Sequence, residues 1–152
     1  MRVIVAGSKD WPYPSVVTNA LELCAATSSN GRHSLTVVHP QPGNKRGPEA
    51  VADAWALAQS YRGSRIIAPP ERHPPHWYDR CRPGCQKDHR RLIDAGKSSC
   101  PQAGYHRIDD MVGRPTDLAL IFITSDRDVP AWLDYLMRRL AGLKVSMQEF
   151  RP

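Results

Sequence analysis

Two stretches of this chain are apolar at consecutive rather than alternate positions: Val3-Ile-Val-Ala6, which follows Arg2 and stops at Gly7, and Leu118-Ala-Leu-Ile-Phe-Ile123. A strand with one wet face alternates apolar and polar side chains, whereas an uninterrupted apolar strand needs cover on both faces. Such strands belong to parallel sheets packed between helices, and parallel neighbours are joined by long, usually helical crossovers.

The intervening segments read as those crossovers. Pro14 suits a first helical turn, and Val17, Leu21 and Cys24 then recur at helical spacing until Ser28-Ser-Asn-Gly31. Leu35–His39 predicts a second strand. After the loop PQPGNKRG, Pro48-Glu49 opens a second helix with Val51, Trp55 and Ala58 on its apolar stripe and Gly63 past its end. Arg65–Ala68 predicts a third strand. Ile108, Met111 and Val112 mark a third helix. Asp128 is placed to cap a fourth, carrying Trp132, Leu133, Leu136, Met137 and Leu140, and Lys144–Phe150 contains a closing strand. Alternating strands and helices define an α/β domain, Rossmann-like and three-layered, with a mainly parallel sheet. The 152 residues suit one such domain, residues 1–152, interrupted by an irregular insertion at about residues 69–101.

In an open parallel sheet, ligands bind beyond the carboxyl ends of the strands, where the strand order reverses. The turn Gly7-Ser8-Lys9-Asp10-Trp11 stands at such an end. Glycine permits close approach, amides and a hydroxyl can hold phosphate, Lys9 adds charge, and Trp11 can cover a ring. A plain strand-to-helix turn, with Trp11 on the core and Lys9 solvated, explains the same residues.

The opening RVIVAGSKDW resembles the first strand and turn of the SLOG superfamily, in particular its YspA/YpsA-related members. Those are Rossmann-like nucleotide-binding domains akin to the LOG phosphoribohydrolases and to DprA. The resemblance continues through LTVVH, Gly47-Pro48-Glu49 and Asp53-Ala54-Trp55-Ala56, and returns at AGYHRIDDMV and TDLALIF. It implies a nucleotide or nucleotide-derived ligand, with Arg107 neutralising its charge beside Lys9 and with Glu49 accepting hydrogen bonds from a sugar. The chain departs from the family at Pro40, at Arg107-Ile108, and at Thr124–Pro130, where Asp126 and Asp128 stand in place of a Gly-Thr phosphate loop. Carboxylates at a helix start oppose a phosphate. Binding without turnover is therefore expected; the alternative is a LOG-like hydrolase using Glu49 or Asp53 as acid or base.

The insertion holds three of the four cysteines, in the pattern C-x3-C-x3-H-x10-C formed by Cys81, Cys85, His89 and Cys100. Cys3His is a closed tetrahedral set of the kind that holds structural zinc, and Pro83-Gly84 can turn the first two thiolates toward one ion. His76 or His106 could replace His89, and a Cys81–Cys85 disulfide or free thiols are the other readings. Cys24, on the first helical stripe, belongs to the core.

The formal net charge of +6 favours acidic partners. Basic residues concentrate around the insertion, among them Arg65, Arg72, Arg80, Arg82, Lys87, Arg90, Arg91 and Lys97, with Trp77 and Tyr78 nearby. Such a patch serves either solubility or single-stranded nucleic acid. Trp55 and Trp132 read as core or subunit contacts, and the last helix could supply a homo-oligomer interface. No apolar run approaches the roughly 20 residues of a membrane span, and no secretory leader opens the chain, so a cytoplasmic protein is expected.

Overall fold

The computed structural model describes residues 1–30, 34–40, 46–64, 66–79, 81–85, 89–94, 97–125, 127 and 129–152. Gly31, most of the PQPGNKRG loop, Arg65, Arg80, Lys87, Asp126 and Asp128 lie outside the described residues.

Five parallel strands form the sheet: β1 (Arg2–Gly7), β2 (Thr36–Pro40), β3 (Glu71–His73), β6 (Leu118–Phe122) and β7 (Ser146–Phe150), in the order β3-β2-β1-β6-β7. Because successive side chains of a strand point to opposite faces, each strand feeds two cores. Val3 and Val5 pack with Val17, Leu21 and Cys24 of α1 (Pro14–Asn30) and with Ala52, Trp55 and Ala56 of α2 (Pro48–Tyr61). Ile4 and Ala6 pack with Ile108, Met111 and Val112 of α3 (Ala103–Val112) and with Leu133, Leu136 and Leu140 of α4 (Ala131–Gly142). The three-layer α/β architecture expected from the apolar runs is what the chain forms. Among the described residues, no helix is long and apolar enough to cross a membrane.

The third strand is displaced from its expected place. Ile67 makes only an isolated bridge to Leu35, with Leu35 N–H donating to the Ile66 carbonyl (2.6 Å) and Ala68 N–H to the Leu35 carbonyl (2.9 Å). Pro69 and Pro70 follow and have no amide to continue the ladder. Pairing resumes at Glu71, opposite Val38. The Arg2 guanidinium fixes this register by forking onto both Glu71 oxygens at 2.9 and 3.2 Å, while its third nitrogen donates to Thr116 Oγ1 at 2.8 Å. The insertion proper therefore starts after β3. It is also less irregular than expected, since it contains an antiparallel hairpin of β4 (Arg91–Asp94) and β5 (Lys97–Ser99).

The chain runs outward from β1 to β2 to β3, then returns across the sheet to place β6 on the other side of β1. The strand order thus reverses between β1 and β6, whose carboxyl ends are Gly7 and Phe122.

Candidate functional site

At the reversal point the backbone of β1 is packed so closely that Gly7 admits no side chain. A Cβ there would collide with the Phe122 carbonyl oxygen and lie 2.7 Å from Cγ of Pro48. Ser8 N–H donates to that same carbonyl at 2.7 Å, and the buried Ser8 hydroxyl accepts from Thr124 N–H at 3.2 Å. The Ser8 side chain thereby ties the end of β1 to the loop after β6.

Gly47, at φ 86°, turns the chain into α2 close against Lys9, and Pro48 occupies the first turn, where its missing amide costs nothing. This geometry brings Glu49 under the end of β1. Its Oε1 accepts the Gly7 N–H at 2.9 Å, and the side chain is buried. Burial raises its pKa to about 7, against the opposing pull of its own amide, the Gly7 amide and Arg107. Arg107 reaches the same region from α3. Burial pushes its pKa down while attraction to Glu49 pushes it up, and its Nε is buried with no hydrogen-bond partner among the described residues. The guanidinium lies 5.5 Å from the centroid of the Trp132 ring, a cation–π contact that offsets part of the desolvation.

The remaining turn residues face elsewhere. Lys9 and Asp10 are exposed and line a groove of about 760 Å³ between α1 and α2, together with Trp11, Arg46, Val51 and Trp55. Trp11 is mostly core: it packs edge-on against Phe122 and Tyr13, with centroids 5.3 and 5.9 Å away, and its indole N–H donates to the Tyr13 carbonyl. Arg107 lines a smaller cavity of about 110 Å³ beside the cysteine cluster. The two cations expected on one ligand therefore line different cavities.

A second arrangement of charged groups escaped the sequence reading. His39, fully buried at the end of β2, places Nε2 3.0 Å from Asp53 Oδ1, and Arg72 of β3 forks onto both Asp53 oxygens at 2.6 and 3.0 Å. Burial raises the Asp53 pKa, but hydrogen bonds from Arg72 and His39 outweigh it and leave the pKa lowered. Asp53, weighed above as an acid or base, is thus fully engaged. A histidine ending an otherwise apolar strand, with an acid one turn after Glu49, was the available signal.

In the insertion, one ligand atom from each of Cys81, Cys85, His89 and Cys100 falls within 4.8 Å of all the others. His89 Nε2 lies 3.2 Å from Cys81 Sγ and 3.1 Å from Cys100 Sγ. Pro83-Gly84 supplies the expected turn, with Gly84 at φ 98° and the Cys85 N–H donating to the Arg82 carbonyl. All four cysteines are free thiols. Arg90 braces the cluster by donating to Cys81 Sγ (3.3 Å), the Asp79 carbonyl (2.8 Å), and Oγ and the carbonyl of Ser98 (2.8 and 2.6 Å). Its hydrogen bond is the largest influence lowering the Cys81 pKa. Of the alternatives to His89, His76 pairs with Asp79 at 3.0 Å, whereas His106 Nε2 lies 3.2 Å from Cys85 Sγ. This Cys3His cluster can hold a metal ion.

Several of the basic side chains around the insertion are occupied internally: Arg72 on Asp53, Arg82 on Asp110, and Arg90 within the cluster. Comparison of the chain with protein-family models gives no match, and neither a curated protein nor a solved structure matches it.

Proposed function

We propose that this protein binds a nucleotide or nucleotide-derived anion at the carboxyl edge of its parallel sheet, without turning it over, and that Cys81, Cys85, His89 and Cys100 hold a structural zinc ion. The observation that carries the first half is the buried Arg107 Nε, which has no partner among the described residues although it stands near the buried Glu49 where the strand order reverses. A half-buried guanidinium with a buried, unmet Nε donor is costly, and a phosphate oxygen would satisfy both the donor and the charge. In this reading Glu49, which already accepts from the Gly7 amide, also accepts from a sugar hydroxyl, and Lys9 and Arg46 on the neighbouring groove add positive potential. The SLOG resemblance of RVIVAGSKDW agrees with this choice of ligand class.

Zinc suits the cluster because three thiolates and an imidazole form a soft, four-coordinate closed set. With every position taken by protein, such an ion organises the insertion and leaves no open coordination position for substrate. The catalytic alternative is weakened at Asp53, whose oxygens are held by Arg72 and His39.

Calorimetric titration with adenosine monophosphate, ADP-ribose and pyrophosphate tests the ligand class. Saturable binding to the wild type that weakens at least tenfold in Arg107→Gln is expected, with no free base released on prolonged incubation. Equal affinity in both proteins would refute the role of Arg107. Elemental analysis is expected to give one zinc per chain.

A further inference from the structure

We propose that the metal ion sets the start of α3 and thereby holds Arg107 in place, so that metal and anion binding are coupled; the anion half rests on the role given to Arg107 above. The helix lacks start signals of its own. It is 10 residues long, its N-cap is Gln102 in a helical conformation with no capping side-chain bond among the described residues, and its first turn carries no acid. A helix that short is marginal without outside support.

The support comes from the insertion. Cys100, the last metal ligand, precedes the helix by three residues; its carbonyl accepts the Ala103 N–H at 3.1 Å, and its own N–H donates to Trp77 at 2.8 Å. The Cys85 thiol lies 3.6 Å from Gln102 Oε1 and 3.2 Å from His106 Nε2. Trp77 packs so close to Gly104 that a Cβ there would be 3.4 Å from its ring. One turn beyond, Arg82 forks onto Asp110. The contacts at Gln102, Gly104, His106 and Asp110 bracket Arg107, and Arg107 lines the same small cavity as Cys81 and Cys100.

An ion that gathers Cys81, Cys85, His89 and Cys100 fixes those contacts together. Its loss frees the Cys85 loop from Gln102 and His106, and frees Cys100 from its place at the helix start. Coupling of this kind is reciprocal: whatever factor the ion adds to anion affinity, the anion adds to ion retention.

Hydrogen exchange on the full chain, zinc-loaded and after chelation, reads the link directly. The expected result is faster exchange over residues 76–112 after chelation, with β1, β6 and α4 still protected, and pyrophosphate affinity lowered at least tenfold. Unchanged exchange in α3 after complete zinc removal, or equal pyrophosphate affinity with and without zinc, would overturn the coupling. His106→Ala, which keeps all four ligands, tests the same link should chelation unfold the chain. With zinc bound, the variant is expected to exchange faster in α3, and exchange equal to the wild type would overturn the proposal. Failure of pyrophosphate to bind the zinc-loaded wild type refutes the anion role of Arg107 instead, and exchange alone then decides whether the ion orders α3.

Discussion

Replacing Glu49 with glutamine removes a buried ionisable group while keeping its shape and its acceptor for the Gly7 amide. In the folded chain this carboxyl holds its proton up to about pH 7, against an ordinary value of 4.5. Between those values the native state binds more protons than the unfolded state, so stability falls as pH rises and levels off above about 7. At about 1.4 kcal/mol per pH unit, the window is worth about 3 kcal/mol. Glu49→Gln is therefore expected to lose this slope. The stability difference, variant minus wild type, should rise by about 3 kcal/mol between pH 4.5 and 7.5 in urea denaturation series. The slope is the test rather than the offset, because any change the amide makes at the Gly7 contact is the same at every pH. Parallel stability curves for the two proteins across this range would mean that Glu49 ionises normally and is neither desolvated nor confined as described.

Gly7→Ala is expected to cost more than about 2 kcal/mol in thermal denaturation, since its Cβ would meet the Phe122 backbone and the Pro48 ring, neither of which can rotate away. Glu71 should contribute in the opposite pH direction to Glu49. Chiefly through its hydrogen bond from Arg2, its pKa is lowered to about 2, so its stabilisation is full above about pH 4.5 and is lost as pH falls toward 2. Glu71→Gln should accordingly cost about 2 kcal/mol at pH 7, by chemical denaturation, and almost nothing near pH 2. His89→Ala should weaken zinc binding at least tenfold in a competition titration, whereas His76→Ala, which removes only an exposed partner of Asp79, should leave it unchanged.

The sheet was legible because β1 and β6 are apolar without interruption, and the helices because Val17, Leu21 and Cys24, or Leu133, Leu136 and Leu140, repeat at helical spacing. The third strand was misplaced because Ile66 and Ile67 look more strand-like than Glu71-Arg-His73. Pro69-Pro70 and the Arg2–Glu71 fork decide the pairing, and both act through tertiary geometry. The cysteine cluster was legible from four ligands within 20 residues and a Pro-Gly turn between two of them. The pairing of Asp53 with His39 and Arg72 was not, since its members come from three elements that only the folded sheet brings together. The internal partners of the basic residues were not legible for a related reason: composition counts charges but not the carboxylates and carbonyls that engage Arg72, Arg82 and Arg90.

The buried Nε–H of Arg107 is itself observable by nitrogen-15 NMR of the zinc-loaded chain. On titration with adenosine monophosphate, that side-chain resonance is expected to shift and to exchange more slowly with water, with the change absent in Arg107→Gln. Saturable shifts confined to other parts of the chain, with the Arg107 resonance unmoved, would contradict anion capture at the edge of the sheet.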